Sequence, residues 1–405
     1  MKLRALRCLF VVACITVAVT GCGSSTSSPP TTVKAIAAGD GYSVAIKSDG
    51  SLWTWGRDKG GQILLGKNAE NTATPARFGT AGDWASVACR SASSFALKTD
   101  GSLWGWGGSA FMAFLPPEHG KANGPTRFGD AHDWAAIACG GTEDSGETFC
   151  LALKKDGSLW AWGSNSGGGG IGLGEEKSTT TPTRVGAAND WAAIACGDDF
   201  SLALKTDGTL WAWGDNSSGQ LGIGNTSTPA GAGEMEFPVS TPTRVGKAND
   251  WAAVAGGQYF SLALKTDGSL WAWGDNKFGE LGLGGTASTV YRPARVGKAS
   301  DWSAIACGEG FSLALKKDGG LWEWGEMWSG YLRPGYVPAA IYHRHTPFRV
   351  GAAHDWASIA CGSDHCLAVK KDGTLWAWGF NDDGQLGLGV TGYRLAPTLV
   401  TDWSP

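Results

Sequence analysis

Along most of this chain, apolar and polar positions alternate in runs of five or six residues, the period of a half-buried β-strand. Phe200-Ser201-Leu202-Ala203-Leu204-Lys205 alternates, Asp207-Gly208 interrupts, and Leu210-Trp211-Ala212-Trp213 alternates again. Asp-Gly is a two-residue hairpin signal, because glycine takes the positive φ that such a turn needs. The pattern predicts a β-hairpin whose second strand carries two tryptophans on one face and Leu210 and Ala212 on the other. One bulky face and one small face suit sheets stacked against each other.

The Asp-Gly-x-Leu-Trp-x-Trp-Gly stretch recurs seven times, starting at Asp49, Asp100, Asp156, Asp207, Asp267, Asp318 and Asp372, with spacings of 51, 56, 51, 60, 51 and 54 residues; in the sixth copy Gly320 fills the variable third position. A period near fifty is the mark of a repeat architecture. One unit reads as a strand at 191–197, a second at 200–205, a third at 210–214, then Asp215-Asn216 and Gly219-Gln220-Leu221-Gly222, a variable loop, a fourth strand at 241–246, and Asp250-Trp251 opening the next unit. Four short strands per repeat are the cue for propeller blades. The fold expected is all-β: a seven-bladed β-propeller of four-stranded blades, closed into a ring over residues 33–405. Where the seam falls within a blade is left open.

This pattern, with Gly-Gln-Leu-Gly after the tryptophan pair, resembles the regulator-of-chromosome-condensation repeat family over about Val33 to Trp403. The resemblance implies a seven-bladed propeller. It also brings the family's best-known activity, guanine-nucleotide exchange on a small GTPase, for which no exchange-specific residue is matched here.

The tryptophan census tests the repeat. Of 22 tryptophans, fourteen lie in the pairs and seven follow Asp, at Trp84, Trp134, Trp191, Trp251, Trp302, Trp356 and Trp403. Only Trp328 stands off the pattern, so the tryptophan wealth is read as scaffold.

Residues 1–21 differ from the rest. Lys2, Arg4 and Arg7 precede an apolar run from Cys8 to Val19, the form of an export signal. The run ends Val19-Thr20-Gly21-Cys22, which resembles the lipobox of bacterial lipoproteins, with Cys22 as the acylated residue. An ordinary secretory signal is the alternative. Residues 22–32 form a Ser/Thr/Pro-rich tether. Gly23 rather than Asp favours the outer membrane if the source is Gram-negative, and the cell surface otherwise. Contact with a bilayer is expected through the acylated N-terminus only. Loss of the leader leaves 30 Lys and Arg against 37 Asp and Glu, with no basic block, so nucleic-acid binding is not expected.

Cys89, Cys139, Cys196, Cys307 and Cys361 share a slot at the end of the first strand, where repeat one has Ala38 and repeat five Gly256. Cys150 and Cys366 share a second slot that elsewhere holds Ser43, Ser94, Ser201, Ser261 and Ser312. Export makes Cys139–Cys150 and Cys361–Cys366 candidate disulfides; buried free thiols are the alternative. No nucleophile elbow, metal-binding helix motif or phosphate loop is present. The chain is therefore read as a non-enzyme with no cofactor and no metal site, and His343-Arg344-His345 as a weak metal signal only.

Residues repeated in every blade hold the fold, so function belongs to what is not repeated. The candidate partner-binding residues are Phe111 and Phe114 in repeat two, and Trp328, Tyr331, Arg333, Tyr336, Tyr342 and Arg344 in a repeat-six loop over 327–345. Trp, Tyr and Arg are enriched at interface hot spots; packing over the propeller rim is the bland reading. The expected function is that of a lipid-anchored, monomeric scaffold holding a protein partner on its loop face. Inhibition of a secreted enzyme, glycan binding and channel-centred hydrolase or lyase activity are the competing readings.

Overall fold

The computed structural model describes residues 31–403 apart from 59–60, 64–70, 108–123, 143–146, 166–169, 175–177, 225–237, 286 and 328–341. Seven four-stranded antiparallel sheets follow one another, each built from one contiguous stretch of chain. In blade 4 the strands are Trp191–Cys196, Phe200–Lys205, Leu210–Gly214 and Val239–Arg244. The first strands stand side by side around a central channel, and that of blade 1, Val33–Ala38, packs beside that of blade 7, Trp356–Cys361. The expected closed propeller is what forms. Its seam lies between blades 7 and 1, not inside a blade.

The Asp-Gly hairpin corrects one expectation. The loop has three residues, not two. Lys205 and Thr209 close it, with Lys205 N–H donating to Thr209 O at 3.0 Å and Gly208 N–H donating to Lys205 O at 2.9 Å. This is a turn followed by a left-handed glycine, Gly208 at φ +77°. Asp207 selects it: its Oδ1 accepts both the Thr209 N–H at 3.0 Å and the Thr209 hydroxyl at 2.7 Å. The hydroxyl in turn accepts from Trp211 Nε1 at 3.0 Å. Gly208 also carries the next blade, because Trp251 N–H donates to its carbonyl at 3.1 Å.

The apolar core lies between blades. Leu202, Leu204, Leu210, Ala212 and Phe200 of blade 4 pack against Trp251, Val254, Ala263 and Trp273 of blade 5. Each small-and-branched face meets the tryptophan face of the next blade, as the alternation implied. The second tryptophan of the pair is fully buried in most blades, among them Trp55, Trp106, Trp213 and Trp273. An aromatic ring buries about 150–250 Å², which at about 25 cal/mol per Å² is on the order of 4–6 kcal/mol of transfer free energy.

A polar staple crosses the same interfaces. The carbonyl of Gln220, in the Gly-Gln-Leu-Gly turn of blade 4, accepts from Trp273 Nε1 at 2.8 Å and from Ser261 Oγ at 2.7 Å, both in blade 5. Gly170 does this for Trp213 and Ser201, Glu280 for Trp324 and Ser312, and Gln385 for Trp55 and Ser43. Asn216 Oδ1 holds the turn by accepting Leu221 N–H at 3.1 Å, and Leu221 is itself fully buried. The motif is therefore an acceptor presented to the next blade.

Candidate partner-binding face

Strand direction sorts the connections onto two faces. The Asp-Gly turns lie on one. The first-to-second strand turns and the long third-to-fourth strand connections lie on the other. Thr32, near the start of the described chain, sits on the Asp-Gly face: its carbonyl accepts from Ser48 N–H at 2.8 Å, and Val33 N–H donates to Gly373 O at 3.0 Å. The strands that bound the variable connections thus end on the face opposite the entry of the chain.

The channel changes character along its axis. On the Asp-Gly side it opens into a largely apolar funnel of about 1080 Å³, lined by Trp251, Trp302, Trp356, Ala192, Ala252 and Ala357 among others. Lysines are stacked between tryptophans there: Lys205 Nζ lies 4.9 Å from both the Trp191 and Trp211 rings and 3.0 Å from Asp190. The throat, about 150 Å³, is lined by Cys89, Cys139, Cys196, Cys307 and Cys361 with Ala38 and Gly256. These are the residues of the first cysteine slot, which the ring gathers from all seven blades.

On the loop side the channel opens into a polar cavity of about 580 Å³. Asp40, Asp198, Asp199, Glu309 and Asp364 line it, from the first-to-second strand turns of blades 1, 4, 6 and 7. Tyr259 adds an aromatic from blade 5. Some of this charge is paired: Asp198 with Arg90, and Asp383 with Arg57 at 2.8 Å. Asp40 accepts from Ser363 Oγ at 2.7 Å. Burial, then repulsion from Glu309, Glu326 and Asp40, pushes the Asp364 carboxyl up to about 7. Burial and the neighbouring Glu309 raise Glu326 too, against His343. The mouth is an acidic cup in which Asp364 holds its proton toward neutral pH.

His365 also lines this mouth but is 1% exposed. Its Nε2 meets Ser43 Oγ at 2.8 Å, and burial drops its pKa to about 3. It is a neutral member of the blade 7–blade 1 contact. His132 and His354 are exposed, and each reaches the Asp of the preceding Asp-Gly turn, Asp100 and Asp318, at 3.1 Å.

Phe111, Phe114, Trp328, Tyr331, Arg333 and Tyr336 lie outside the described residues, as does Cys22. Tyr342 and Arg344 are not in a loop. The third strand of blade 6 runs Leu321–Met327 and pairs with a fourth strand, Tyr342–Arg349, up to the pair Met327 and Tyr342. That takes Met327 and residues 342–345 out of the expected loop, because the longer third strand recruits them into the ladder. Arg344 stacks its guanidinium 3.7 Å from the Phe348 ring.

Sequence reasoning missed a set of exposed apolar side chains in the last three blades. Among the described residues the exposed large apolar side chains are Tyr291, Phe348, Val390, Leu395 and Leu399, all in blades 5 to 7. Leu395 is 74% exposed. The signal was present, since the fourth strands of blades 3 and 4 read Thr-Thr-Pro-Thr-Arg and Ser-Thr-Pro-Thr-Arg, and blades 5 to 7 put Tyr, Phe and Leu at positions of that strand. Each of these outer edges carries a proline (Pro293, Pro347, Pro397), which blunts open-ended strand pairing.

The four paired-slot cysteines are free thiols in the structure. The ladder sets Cys139 directly opposite Cys150 and Cys361 opposite Cys366.

The RCC1-like domain family matches residues 142–404, well over half of the chain, and the RCC1 repeat matches residues 33–62. The chain belongs to the RCC1-like domain family. It is 27% identical over 392 residues to the Arabidopsis thaliana ultraviolet-B receptor UVR8, covering 92% of this chain and 83% of the receptor. It is 33% identical over 260 residues to the human E3 ubiquitin-protein ligase HERC2, covering 63% of this chain but only 5% of that ligase. The chain therefore spans a small part of such curated relatives. Among solved structures, yeast RCC1 (Prp20), determined with Kap60 bound, superposes at a TM-score of 0.72 with 22% identity, covering 96% of this chain and 91% of that one. That likeness concerns the fold. As an RCC1-like propeller, this chain has an architecture compatible with a protein-binding scaffold.

Proposed function

We propose that this RCC1-like propeller is a protein-binding scaffold, tethered through an acylated Cys22, that holds its partner on the loop side of blades 5 to 7. One observation carries the reading: the variable connections leave from the face that holds the acidic mouth, opposite the face where the chain enters at Thr32, and the exposed Tyr291 and Leu395 stand near the loop-side ends of their strands. A tether on the entry side presents the loop side outward. Aromatic and aliphatic anchors beside a polar cavity suit a partner that inserts apolar groups at the rim and a basic group at the mouth. Solved relatives lend the class: Prp20p from Saccharomyces cerevisiae is described with binding properties to Gsp1p and histones. No helix among the described residues is long and apolar enough to cross a membrane, so the proposed attachment rests on the leader.

The test is crosslinking in intact cells with the full chain, a variant with residues 328–341 replaced by a short Gly-Ser turn, and Phe348→Asp/Leu395→Asp. A protein captured by the full chain and lost from either variant, with folding verified by circular dichroism, supports the scaffold. Equal capture by all three removes the site from blades 5 to 7. Cys22→Ser is expected to abolish fatty-acid labelling and release the chain from the membrane fraction. Unchanged labelling refutes the tether without touching the binding face.

A further inference from the structure

We infer that Cys139–Cys150 and Cys361–Cys366 are two disulfide sites, which lock the inner hairpin of the two blades that have no serine at the staple position. The position of the second-slot cysteines is the first argument. Five blades carry serine there; in four its hydroxyl donates to a carbonyl of the preceding blade's turn, at Gln385, Gly170, Gln220 or Glu280, and in blade 2 Ser94 Oγ donates to Tyr42 Oη at 3.0 Å. The cysteines stand in blades 3 and 7, the two that follow repeats in which other sequence replaces that turn, namely Phe111–Glu118 and the 328–341 stretch. Their tryptophans register the same loss. Trp162 Nε1, fully buried, has no hydrogen-bond partner among the described residues, and Trp378 turns to the side chain of Glu323. A serine in these blades would find no such turn carbonyl among the described residues. A thiol tolerates that place.

Geometry is the second argument. Gly362 N–H donates to His365 O at 2.9 Å, closing the hairpin at Ser363-Asp364. The next pair outward, Cys361 and Cys366, is therefore a non-hydrogen-bonded pair, in which Cα atoms stand about 4.5 Å apart. That separation falls inside the roughly 4.4–6.8 Å range of disulfides. Cys139 and Cys150 occupy the same ladder position in blade 3, one pair outward from Gly140 and Phe149. The other first-slot cysteines face serine across the ladder, as Cys196 faces Ser201 and Cys307 faces Ser312.

The oxidant is a small-molecule or protein disulfide. The Cys361 thiolate attacks one of its sulfurs and expels a thiolate. The Cys366 thiolate then attacks Cys361 Sγ in the mixed disulfide and expels the second. Two protein thiols are oxidised, one disulfide is reduced to two thiols, and the two cysteine protons end on those thiols. Burial raises the pKa of Cys150 and Cys366 in the closed ring, which starves the reaction of thiolate. The bonds therefore form on the hairpins before the ring closes.

The experiment refolds the reduced, denatured full chain in a buffer of reduced and oxidised glutathione, traps it with an alkylating agent and maps peptides without reduction. Linked peptides 139–150 and 361–366, with Cys89, Cys196 and Cys307 alkylated, are expected. Alkylation of all four paired cysteines overturns the inference, and so do links between first-slot cysteines of neighbouring blades. In parallel, the chain folded under reduction and then placed in the same buffer is expected to oxidise at least about tenfold more slowly, the thiolate being scarce in the closed ring. Equal rates overturn the order of events.

Discussion

Trp403 packs edge-on against Trp53, with ring centroids 5.4 Å apart and planes at 83°, so the last tryptophan of the chain completes its first blade. In blades 2 to 7 a tryptophan opens the first strand and meets the pair of its own blade, as Trp251 meets Trp271 and Trp273. Blade 1 begins with Val33 instead, paired with Lys47 just as Trp251 is paired with Lys265. Trp403 fills the gap from the far end, also reaching Trp55 at 6.0 Å, and Lys47 Nζ lies 4.1 Å from both the Trp53 and Trp403 rings.

Trp403→Ala is therefore expected to loosen the ring at its seam. Full truncation of a buried tryptophan costs about 3–5 kcal/mol. Trp403 is only part-buried, so roughly 2 kcal/mol is expected, read as a lower urea midpoint with an unchanged slope. Leu399→Ala, at an exposed position of the adjacent strand, serves as the control. Equal midpoints for Trp403→Ala and wild type would remove the clasp.

Gly208→Ala tests the Asp-Gly turn. An alanine there keeps φ near +77°, and its Cβ would stand 2.2 Å from the Asn249 carbonyl oxygen of the next segment. The expected loss is on the order of 2–3 kcal/mol, from backbone strain and the displaced neighbour together. Full retention of the thermal midpoint would show that the turn relaxes freely.

Ser261→Ala removes one arm of a staple, leaving the Gln220 carbonyl with Trp273 Nε1. The expected cost is about 1 kcal/mol. Cys366→Ser, measured under reduction, is expected to cost about as much, although it introduces the residue found in the sister blades. Its hydroxyl would meet no carbonyl of the Gln220 kind. A stabilised Cys366→Ser would mean that blade 6 does offer an acceptor.

Stability should fall from mildly acidic to mildly alkaline pH, and Glu323 should contribute. Burial raises its carboxyl to about 7, against the Trp378 hydrogen bond and Arg344, which lower it. The folded chain therefore holds a proton that the unfolded chain gives up at lower pH. Between about pH 4.5 and 7 the native state binds more protons, so stability declines as pH rises and the penalty is complete above the folded pKa. Glu323→Gln should flatten this part of the profile, by on the order of 1–2 kcal/mol between about pH 5 and 8. Identical wild-type and variant slopes in urea unfolding at the two pH values would contradict it. Glu280 and Asp364, also raised to about 7 by burial, keep some slope in both proteins.

The blade count, strand order and interblade core were legible because each blade is a local unit: its strands, turn residues and two-faced third strand recur within about fifty residues. What the pattern hid is non-local or carried by backbone. Gln220 reads as a polar turn residue, yet its contribution is a carbonyl oxygen, and any residue has one. Gly170 does the same with no side chain. The clasp of Trp403 was invisible because it joins opposite ends of the chain. The three-residue turn escaped because Asp-Gly favours two hairpin geometries, and the Asp207–Thr209 hydroxyl contact decides between them. On the loop side, Tyr342 and Arg344 read as loop because the ladder pair that captures them lies across the insertion at 328–341.

The seam between blades 7 and 1 is made of the same parts as the other interfaces: a tryptophan face, a small-residue face, a serine and an indole on one carbonyl. The polypeptide is thus cut at a place that structurally resembles its continuous junctions. A circular permutant that joins Trp403 to Thr32 by a short linker and opens the chain just after Trp302 would ask Trp302 to return from the new C-terminus to blade 6, as Trp403 now returns to blade 1. Ring order, and not the position of the ends, is what this architecture specifies, and new termini could move around the ring one blade at a time.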